Sequence, residues 1–345
     1  MATKKRTRWS LLVLLALVTA LVAACSGSDD DEVATTGQAT TTAESDTTLT
    51  LISYSTPREP FRKLIERFRE TPEGARVLFH ESYGNSSDQT VEISFGLPAD
   101  VVALSVESDM RPLVVSELIP RGWKDDEFGG MVTRSVVAFV VRKGNPLGIR
   151  SWSDLTKKDV TVLTPTPFTS GIGRWNVLAA YGAQLERGQT PKQAERFLHS
   201  LFANVDAEAR SAREALERFG AGHGNVIITS EAEAIRAQRH EEMDYVIPDE
   251  TILIETPISV TRSAPPQAQA FVDFVRSPAG QKVFGETGYR PVRESVAQTF
   301  NFPTPKSLFT IDELGTWEDL QLRFFDRTLG VMAKIYSQLG LSVEE

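Results

Sequence analysis

Apolar positions along the chain follow two spacings, one typical of strands and one typical of helices. Leu49–Ser53 is a short apolar run and predicts a buried strand. After a turn with two prolines, apolar residues recur at the helical spacing i, i+3, i+4, i+7, at Phe61, Leu64, Ile65 and Phe68. The same order of strand, loop and helix repeats further along, and the last predicted helix runs from Trp317 to about Leu339. This alternation predicts an α/β fold.

Two longer apolar runs, Ser135–Val141 and Ile252–Val260, predict strands that cross the middle of the molecule. One series of strands and helices precedes the first run, and a second series lies between the two. Two such series joined by long crossing strands predict two lobes with a cleft between them. We expect residues 49–137 and 258–345 to form lobe I and residues 138–257 to form lobe II. A single doubly wound domain is the alternative on pattern alone.

The residues before position 49 have a composition unlike that of a folded domain. Basic residues lead into the apolar stretch Leu11–Ala24, which is short for a membrane span and ends directly before Cys25. The sequence Val-Ala-Ala-Cys resembles a lipoprotein signal-peptidase site, at which the cysteine is acylated and becomes the new N-terminus. We therefore expect residues 1–24 to be a signal peptide, Cys25 to carry lipid, and residues 25–48 to be a flexible tether. An ordinary secretory signal with a chance cysteine is the alternative.

Charge and residue usage argue against several functions. Removing the four basic residues of the leader lowers the formal net charge from −9 to −13, so the chain has no basic stripe for nucleic acid. Cys25 is the only cysteine, which excludes an intramolecular disulfide. The four histidines have neither metal-ligand spacing nor a nucleophile motif around them. Ser87 and Asp88 with a distant histidine form no recognisable triad. We predict no catalytic residue, no metal and no cofactor.

Four loops between a strand and the following helix carry small or hydroxylated residues. They are Ser53–Thr56, Gly84–Ser87, Pro167–Gly171 and Arg210–Arg213. Free N–H groups at a helix N-terminus, together with a nearby hydroxyl, bind an anion without any formal positive charge. Each loop alone also fits ordinary N-capping by serine or threonine. Convergence of all four on one cleft would surround a small tetrahedral dianion with donors.

Seven sequence blocks, two of which overlap these loops, occur in an order that resembles one protein family. The blocks are Ser53–Glu59, Ala99–Val102, Val141–Pro146, Ser170–Asn176, Glu231–Ala234, Tyr289–Pro291 and Leu308–Asp312. They resemble the periplasmic sulfate-binding proteins over nearly all of residues 49–340. The resemblance implies a two-lobed type II periplasmic-binding-protein fold. It also implies a monomeric receptor that binds a small inorganic oxyanion, sulfate, at the outer face of the cytoplasmic membrane and works with the permease subunits of an ABC importer.

The resemblance further implies that neutral donors hold the ligand. The implied ligand-binding residues are Ser55, Ser86, Ser170, Gly171, Ile172, Ala212, Arg213 and Ser230. Ser86 would supply a hydroxyl and an N–H group, and Ser170 a hydroxyl. Gly171, Ile172 and Ala212 would supply backbone N–H groups. The N–H group of Ser55 stands where the family usually has an aspartate, and the family counterpart of Arg213 supports the site from behind.

Three positions depart from the family pattern. Ser230 stands where the family carries a donor tryptophan, Ile172 where a second glycine is usual, and Asp88 where a basic or neutral residue is more common. Sulfate is fully ionised and needs donors only, whereas hydrogen phosphate also needs an acceptor, which an inward-facing Asp88 would provide. Thiosulfate, molybdate and phosphate are therefore alternative ligands. Ligand sensing is the alternative to transport.

Overall fold

The computed structural model of the chain describes residues 46–206, 209–239 and 242–343. The predicted signal peptide, Cys25 and most of the predicted tether lie outside these residues. Within them the chain forms ten strands and twelve α-helices. No helix of the described ranges is long and apolar enough to cross a membrane.

The bounds of the elements agree with the predicted alternation. The strands are β1 (Thr47–Tyr54), β2 (Val77–Gly84), β3 (Val101–Ala103), β4 (Met131–Arg142), β5 (Val162–Leu163), β6 (Val226–Ser230), β7 (Met243–Val246), β8 (Glu250–Val260), β9 (Arg290–Pro291) and β10 (Ser307–Phe309). The helices are α1 (Arg58–Phe68), α2 (Ser86–Ser94), α3 (Glu107–Val115), α4 (Gly171–Glu186), α5 (Pro191–Phe202), α6 (Ala212–Gly220), α7 (Glu231–Gln238), α8 (Pro266–Arg276), α9 (Pro278–Glu286), α10 (Glu294–Ala297), α11 (Trp317–Phe325) and α12 (Val331–Leu339).

The strands pair in the order β2-β1-β3-β8-β4-β6-β5, with β10 beside β8 and both β7 and β9 beside β4. Two parallel groups, β2-β1-β3 and β6-β5, lie at the two ends of this order. β4 and β8 run antiparallel to each other between them. β4 pairs with β8 through its first half, Met131–Val136, and with β6 through Val137–Val141. The predicted crossing strands and the two-lobed α/β architecture are thereby confirmed.

Each group of strands has an apolar core on both faces, because successive side chains of a strand point to opposite sides. In β1, Leu49 and Leu51 contribute to a cluster with α1, α8 and α9, and Ile52 contributes to one with α2 and α3. In β4, Phe139 packs in the cluster of α4, α5, α11 and α12, and Val140 in that of α6 and α7. Helices therefore cover both faces, and the loops that join strands to helices are left to form the site.

The start of the folded part was predicted two residues too late. β1 begins at Thr47, because Thr47 and Thr48 extend its parallel ladder opposite Val77 and Leu78. The predicted tether therefore ends before β1 and not at residue 48.

The prediction of one continuous helix from Trp317 to Leu339 was wrong. The Asp326 carboxylate accepts hydrogen bonds from the backbone N–H groups of Thr328 and Leu329, which closes a turn between α11 and α12. Both helices pack in the cluster of α4 and α5, where the ring of Trp317 lies 4.8 Å from that of Trp175 between centroids. They thus pack with elements predicted for lobe II, although the sequence placed residues 258–345 in lobe I.

Candidate functional site

Three helices begin around one small cavity. α2 begins at Ser86, α4 at Gly171 and α6 at Ala212, and all three residues line the cavity. The residues that precede these helices, Asn85, Ser170 and Ser211, line it as well. The first N–H groups of a helix have no partner within the helix, and its dipole places positive potential at this end. The three helix starts therefore make the cavity a site for negative charge.

The cavity suits a compact ligand and has a neutral lining. About 10 Å³ is open to the centre of a water-sized sphere, which is roughly the volume that one such sphere needs. The lining residues are Tyr54, Ser55, Thr56, Gly84, Asn85, Ser86, Ser105, Ser170, Gly171, Ile172, Ser211 and Ala212. None of these described residues carries a carboxylate, an imidazole or a thiol. The lining therefore offers hydroxyl and N–H donors without a fixed negative charge.

Six of the eight predicted ligand residues line this cavity. They are Ser55, Ser86, Ser170, Gly171, Ile172 and Ala212. The side chain of Ile172 is buried and belongs to the largest apolar cluster. These residues come from four separate loops, so the fold brings together positions that lie far apart in the sequence. Their contacts with a ligand stay a prediction.

Arg213 and Ser230 lie outside the lining. Arg213 Nη2 donates to the carbonyl oxygen of Thr56 at 3.3 Å and to Glu233 Oε1 at 3.1 Å, so it links α6 with the loop after β1 and with α7. The hydroxyl of Ser230 caps α7 by accepting a hydrogen bond from the N–H group of Glu233 at 3.4 Å. Arg213 thus contacts Thr56 of the lining without lining the cavity itself, and its supporting role stays a prediction. The structure gives Ser230 a capping contact.

The two predicted hydroxyl donors are oriented by backbone groups. Ser86 Oγ accepts a hydrogen bond from the N–H group of Ser105 at 3.1 Å, and Ser170 Oγ accepts one from that of Gly173 at 3.3 Å. A hydroxyl has one proton and two lone pairs, so each oxygen that accepts from the backbone still has its proton to donate. Both side chains are buried. This arrangement prepares two donors for an anion.

Ser105 also lines the cavity, between β3 and α3, and was not predicted. A signal was present, because Ser105 follows a strand and precedes a helix, as three of the four selected loops do; the loop Arg210–Arg213 instead follows α5. The short strand β3 and the apolar residue Val106, which precedes α3, hid this similarity. Asn85 and Ser211 belong to selected loops, but no role was assigned to them.

A buried arginine connects the helices that surround the cavity. Arg174, in the first turn of α4, donates to Ser87 Oγ of α2 at 2.6 Å and to Ser108 Oγ of α3 at 3.2 Å. It also forms an ion pair with Asp109 of α3, and both side chains are more than nine-tenths buried. Breaking a buried ion pair leaves an uncompensated charge, so this pair fixes the relative positions of three helix N-termini.

Burial raises the pKa of titratable groups in the cavity lining and next to it. Burial raises the pKa of Tyr54 from 10.0 to about 12. Burial also raises the pKa of Tyr289 well above its ordinary value, and its hydroxyl donates to Thr56 Oγ1 at 3.2 Å. Burial raises the pKa of the Glu233 carboxyl, although the guanidinium of Arg213 and that of a second arginine, on α7, lower it. The two tyrosines therefore keep their protons at neutral pH.

Asp88 does not provide the acceptor that a hydrogen phosphate ligand needs. Its carboxylate accepts from Asn85 Nδ2 at 2.8 Å and from Arg210 Nη2 at 3.3 Å. The side chain is 41 % exposed and lies outside the cavity lining. The described ranges also contain no group of three or more acidic, histidine or cysteine side chains placed to hold a metal ion.

Comparisons with known proteins agree with this fold. The family model for bacterial extracellular solute-binding proteins matches residues 49–290. The sulfate-binding protein of Synechocystis sp. is 35% identical over 96% of this chain and 97% of its own length. That of Synechococcus elongatus is 37% identical over 92% and 94%. The solved structure of the sulfate-binding protein SubI from Mycobacterium tuberculosis matches with a TM-score of 0.79 and 37% identity, over 81% of this chain and 100% of SubI. The structural match confirms the two-lobed type II periplasmic-binding-protein fold. The chain belongs to the family of bacterial extracellular solute-binding proteins.

Proposed function

We propose that this chain captures sulfate outside the cytoplasmic membrane and delivers it to the permease subunits of an ABC importer. The observation that carries the proposal is the small cavity at which α2, α4 and α6 begin, with a lining of neutral donors. Sulfate has no proton at neutral pH and only accepts hydrogen bonds, so a site of donors alone matches it. The names of the sulfate-binding relatives support this ligand.

The same geometry ranks the alternative oxyanions. Hydrogen phosphate carries a proton and needs an acceptor, and the Asp88 carboxylate is engaged by Asn85 and Arg210 away from the lining. Thiosulfate and molybdate share with sulfate the need for donors only. We therefore expect phosphate to bind much more weakly than sulfate, and the other two oxyanions to be the relevant competitors.

A net charge of −13 after removal of the leader is compatible with anion capture. Charges at the surface are screened beyond about 8–10 Å at physiological ionic strength. Within the cavity, fixed N–H dipoles at short range determine the interaction with the ligand. The buried pair of Arg174 and Asp109 is neutral as a whole, so it positions the helix starts without adding net charge.

We further propose that the cavity lies between the two lobes and that the ligand holds them together. Ser86 belongs to predicted lobe I, and Ser170 and Ala212 belong to lobe II. One backbone hydrogen bond already joins residues of the two predicted lobes: the Ser87 N–H group donates to the carbonyl oxygen of Thr169 at 3.3 Å. Donors from both lobes around one ion would make lobe closure depend on the ligand.

The proposal includes lipid anchoring at Cys25, a monomeric state and a binding role without catalysis. A diacylated Cys25 followed by a polar segment would keep the receptor at the outer face of the membrane. The hydroxyls of Ser86 and Ser170 are held by backbone N–H groups, an arrangement that suits hydrogen-bond donation to an ion. The relatives are named as binding proteins, which supports a receptor in place of an enzyme.

Uptake of radiolabelled sulfate by cells that lack the gene tests the transport role. We expect uptake to fall and to be restored by the wild-type chain but not by Ser170→Ala. Ser277→Ala is the matched control, because Ser277 caps α9 just as Ser170 caps α4. Cys25→Ala should be released from the membrane fraction, and mass spectrometry of the mature N-terminus reads the acylation directly. Normal sulfate uptake in the deletion strain, with altered signalling, would favour the sensing alternative.

A further inference from the structure

Ser105 has a buried hydroxyl whose contacts with the protein do not explain it. The residue is 1% exposed, and it lines the cavity. Its backbone N–H group donates to Ser86 Oγ. Its own Oγ has no hydrogen-bond partner among the residues that the structure describes. A buried hydroxyl without a partner costs free energy, so a native structure that keeps one calls for an explanation.

The other buried hydroxyls of the lining differ from Ser105 in this respect. Ser86 Oγ and Ser170 Oγ accept from backbone N–H groups, and Thr56 Oγ1 accepts from the Tyr289 hydroxyl. Ser105 is thus the buried lining residue, within the described chain, whose hydroxyl retains both its proton and its lone pairs.

The hydroxyl lies directly against the start of α4. A Cβ atom built on Gly171 would come within 2.0 Å of Ser105 Oγ, so a glycine is needed at the first residue of α4 for the two to approach. Gly171 is also a predicted N–H donor to the ligand. Ser105 itself precedes α3, whose first residue is Glu107, so a fourth helix begins next to the cavity. The hydroxyl is therefore placed among the donors that face an anion.

We propose that Ser105 Oγ donates a hydrogen bond to the bound oxyanion and is a further determinant of affinity. This inference rests on the proposed function, and it adds a ligand residue that the resemblance does not include. It has a specific physical consequence. Without ligand the hydroxyl lowers stability, whereas with ligand it strengthens binding, because only the ligand satisfies it. Its removal must therefore change affinity and ligand-free stability in different directions.

The test compares Ser105→Ala with Ser53→Ala in the full chain. Ser53 is also fully buried, and its Oγ also has no partner within the described residues, but it does not line the cavity. Calorimetric titration with sulfate should show an affinity loss of about tenfold or more for Ser105→Ala, which corresponds to about 1.4 kcal/mol. Ser53→Ala should keep its affinity within about twofold. Thermal unfolding without sulfate should show a melting temperature for Ser105→Ala equal to or above that of wild type.

A second variant keeps the test decisive if Ser105→Ala folds poorly. Ser105→Cys keeps the shape of the side chain, with a somewhat larger sulfur atom, and offers only a weak donor, so its affinity loss should resemble that of Ser105→Ala. Wild-type affinity in both Ser105 variants would overturn this inference and leave the proposed function intact. If Ser53→Ala loses as much sulfate affinity as Ser105→Ala, Ser105 has only a packing role and this inference is overturned. The same holds if the affinity loss of Ser105→Ala comes with a lower melting temperature in the absence of sulfate. Failure of the wild-type chain to bind any oxyanion would overturn the proposed function and this inference together.

Discussion

Single serines at the cavity combine a structural contact with a binding contact. Ser170 Oγ accepts a hydrogen bond from the Gly173 N–H group and so caps α4, while its proton remains to be donated. Ser86 Oγ does the same with the N–H group of Ser105. The hydroxyl orientation is thus set before a ligand arrives, which lowers the entropic cost of binding.

Ser170→Ala separates these two contacts. We expect a loss of about 1 kcal/mol in the free energy of unfolding, as is typical for removal of a helix cap. We also expect sulfate affinity to fall by about 10- to 100-fold, because hydrogen bonds to charged groups contribute about 1.5–3 kcal/mol. Ser277→Ala, which removes the cap of α9, should lose similar stability and retain affinity. Calorimetric titration and urea unfolding of both variants measure this, and equal affinities would contradict the account.

Tyr54 makes stability depend on pH in the alkaline range. Its pKa is about 12 in the folded chain and 10.0 ordinarily, because the buried phenol resists ionisation. Above pH 10 the unfolded chain releases this proton while the folded chain keeps it, so stability falls as pH rises towards 12. The loss amounts to about 3 kcal/mol for a shift of about two pKa units. Tyr54→Phe should reduce this slope in unfolding experiments between pH 9 and 12. An unchanged slope would show that other groups determine it.

Among single residues, the sequence predicted the hydroxyl-rich loops at the cavity but not every residue of the lining. Six predicted ligand residues line the cavity, because a strand end followed by a helix start can be read from local spacing. Ser105 also stands between a strand and a helix, but its neighbour Val106 gives no capping signal, so the start of α3 at this place was not recognised. The contact between Arg174 and Asp109 spans 65 residues of sequence, and nothing in local spacing indicates it.

Helix N-termini are the functional elements of this fold. α2 and α4 start at the cavity after the loops that follow β2 and β5, and α6 starts there after the loop that follows α5. The mutual positions of α2 and α4 depend on the long-range ion pair of Arg174 and Asp109, which joins α4 to α3 and, through Ser87, to α2. A substitution that breaks this ion pair should therefore lower both the stability of the fold and the affinity for sulfate.

Arg174→Met tests the ion pair. We expect a destabilisation of about 3–5 kcal/mol, because the buried Asp109 carboxylate would lose its partner, and sulfate affinity should fall as the helix starts shift. Arg111→Met is the matched control, since the ion pair of Arg111 and Glu318 is more than half exposed on both sides and should contribute at most about 1 kcal/mol. Urea unfolding with and without sulfate measures both. Comparable small losses in the two variants would contradict a positioning role for Arg174.

Local signals indicate where some helices begin, and the helix bounds that were missed have physical reasons. Thr190 and Ser230 provide cap signals in the sequence at the starts of α5 and α7. The break between α11 and α12 was missed, because apolar spacing continues across it while the Asp326 side chain closes a local turn. β5 and β9 contain two residues each, too few for any periodicity to indicate a strand.

For the whole molecule, the crossing strands β4 and β8 explain why two lobes form one continuous sheet. β8 pairs with β3 on one side, β4 pairs with β6 on the other, and the two long strands pair with each other. Length and continuous apolar character made these strands predictable, whereas the order of the strands depends on pairings between distant residues. The lobe that α11 and α12 join was not predictable either, because two amphipathic helices can cover any apolar surface of suitable shape.

Net charge should matter little for affinity at equilibrium. If fixed N–H dipoles at short range determine binding, raising the salt concentration from 50 to 500 mM with a non-competing chloride salt should change sulfate affinity by less than about threefold. Reversal of exposed charges such as Glu92 or Glu294 should have an equally small effect. Affinity measured across these conditions provides the check. A steep dependence on salt would show that long-range charge, and not the helix starts, controls capture.

The cavity, which is lined by hydroxyl and N–H donors and has no carboxylate in its lining, should bind a fully ionised tetrahedral oxyanion. Calorimetric titration of the full chain with sulfate, thiosulfate, molybdate and phosphate at pH 7 tests it most directly. The account predicts one sulfate bound per chain and phosphate affinity lower by about 100-fold or more, because no carboxylate among the described lining residues accepts the phosphate proton. Tight binding of phosphate, or no binding of any of the four anions, would contradict it.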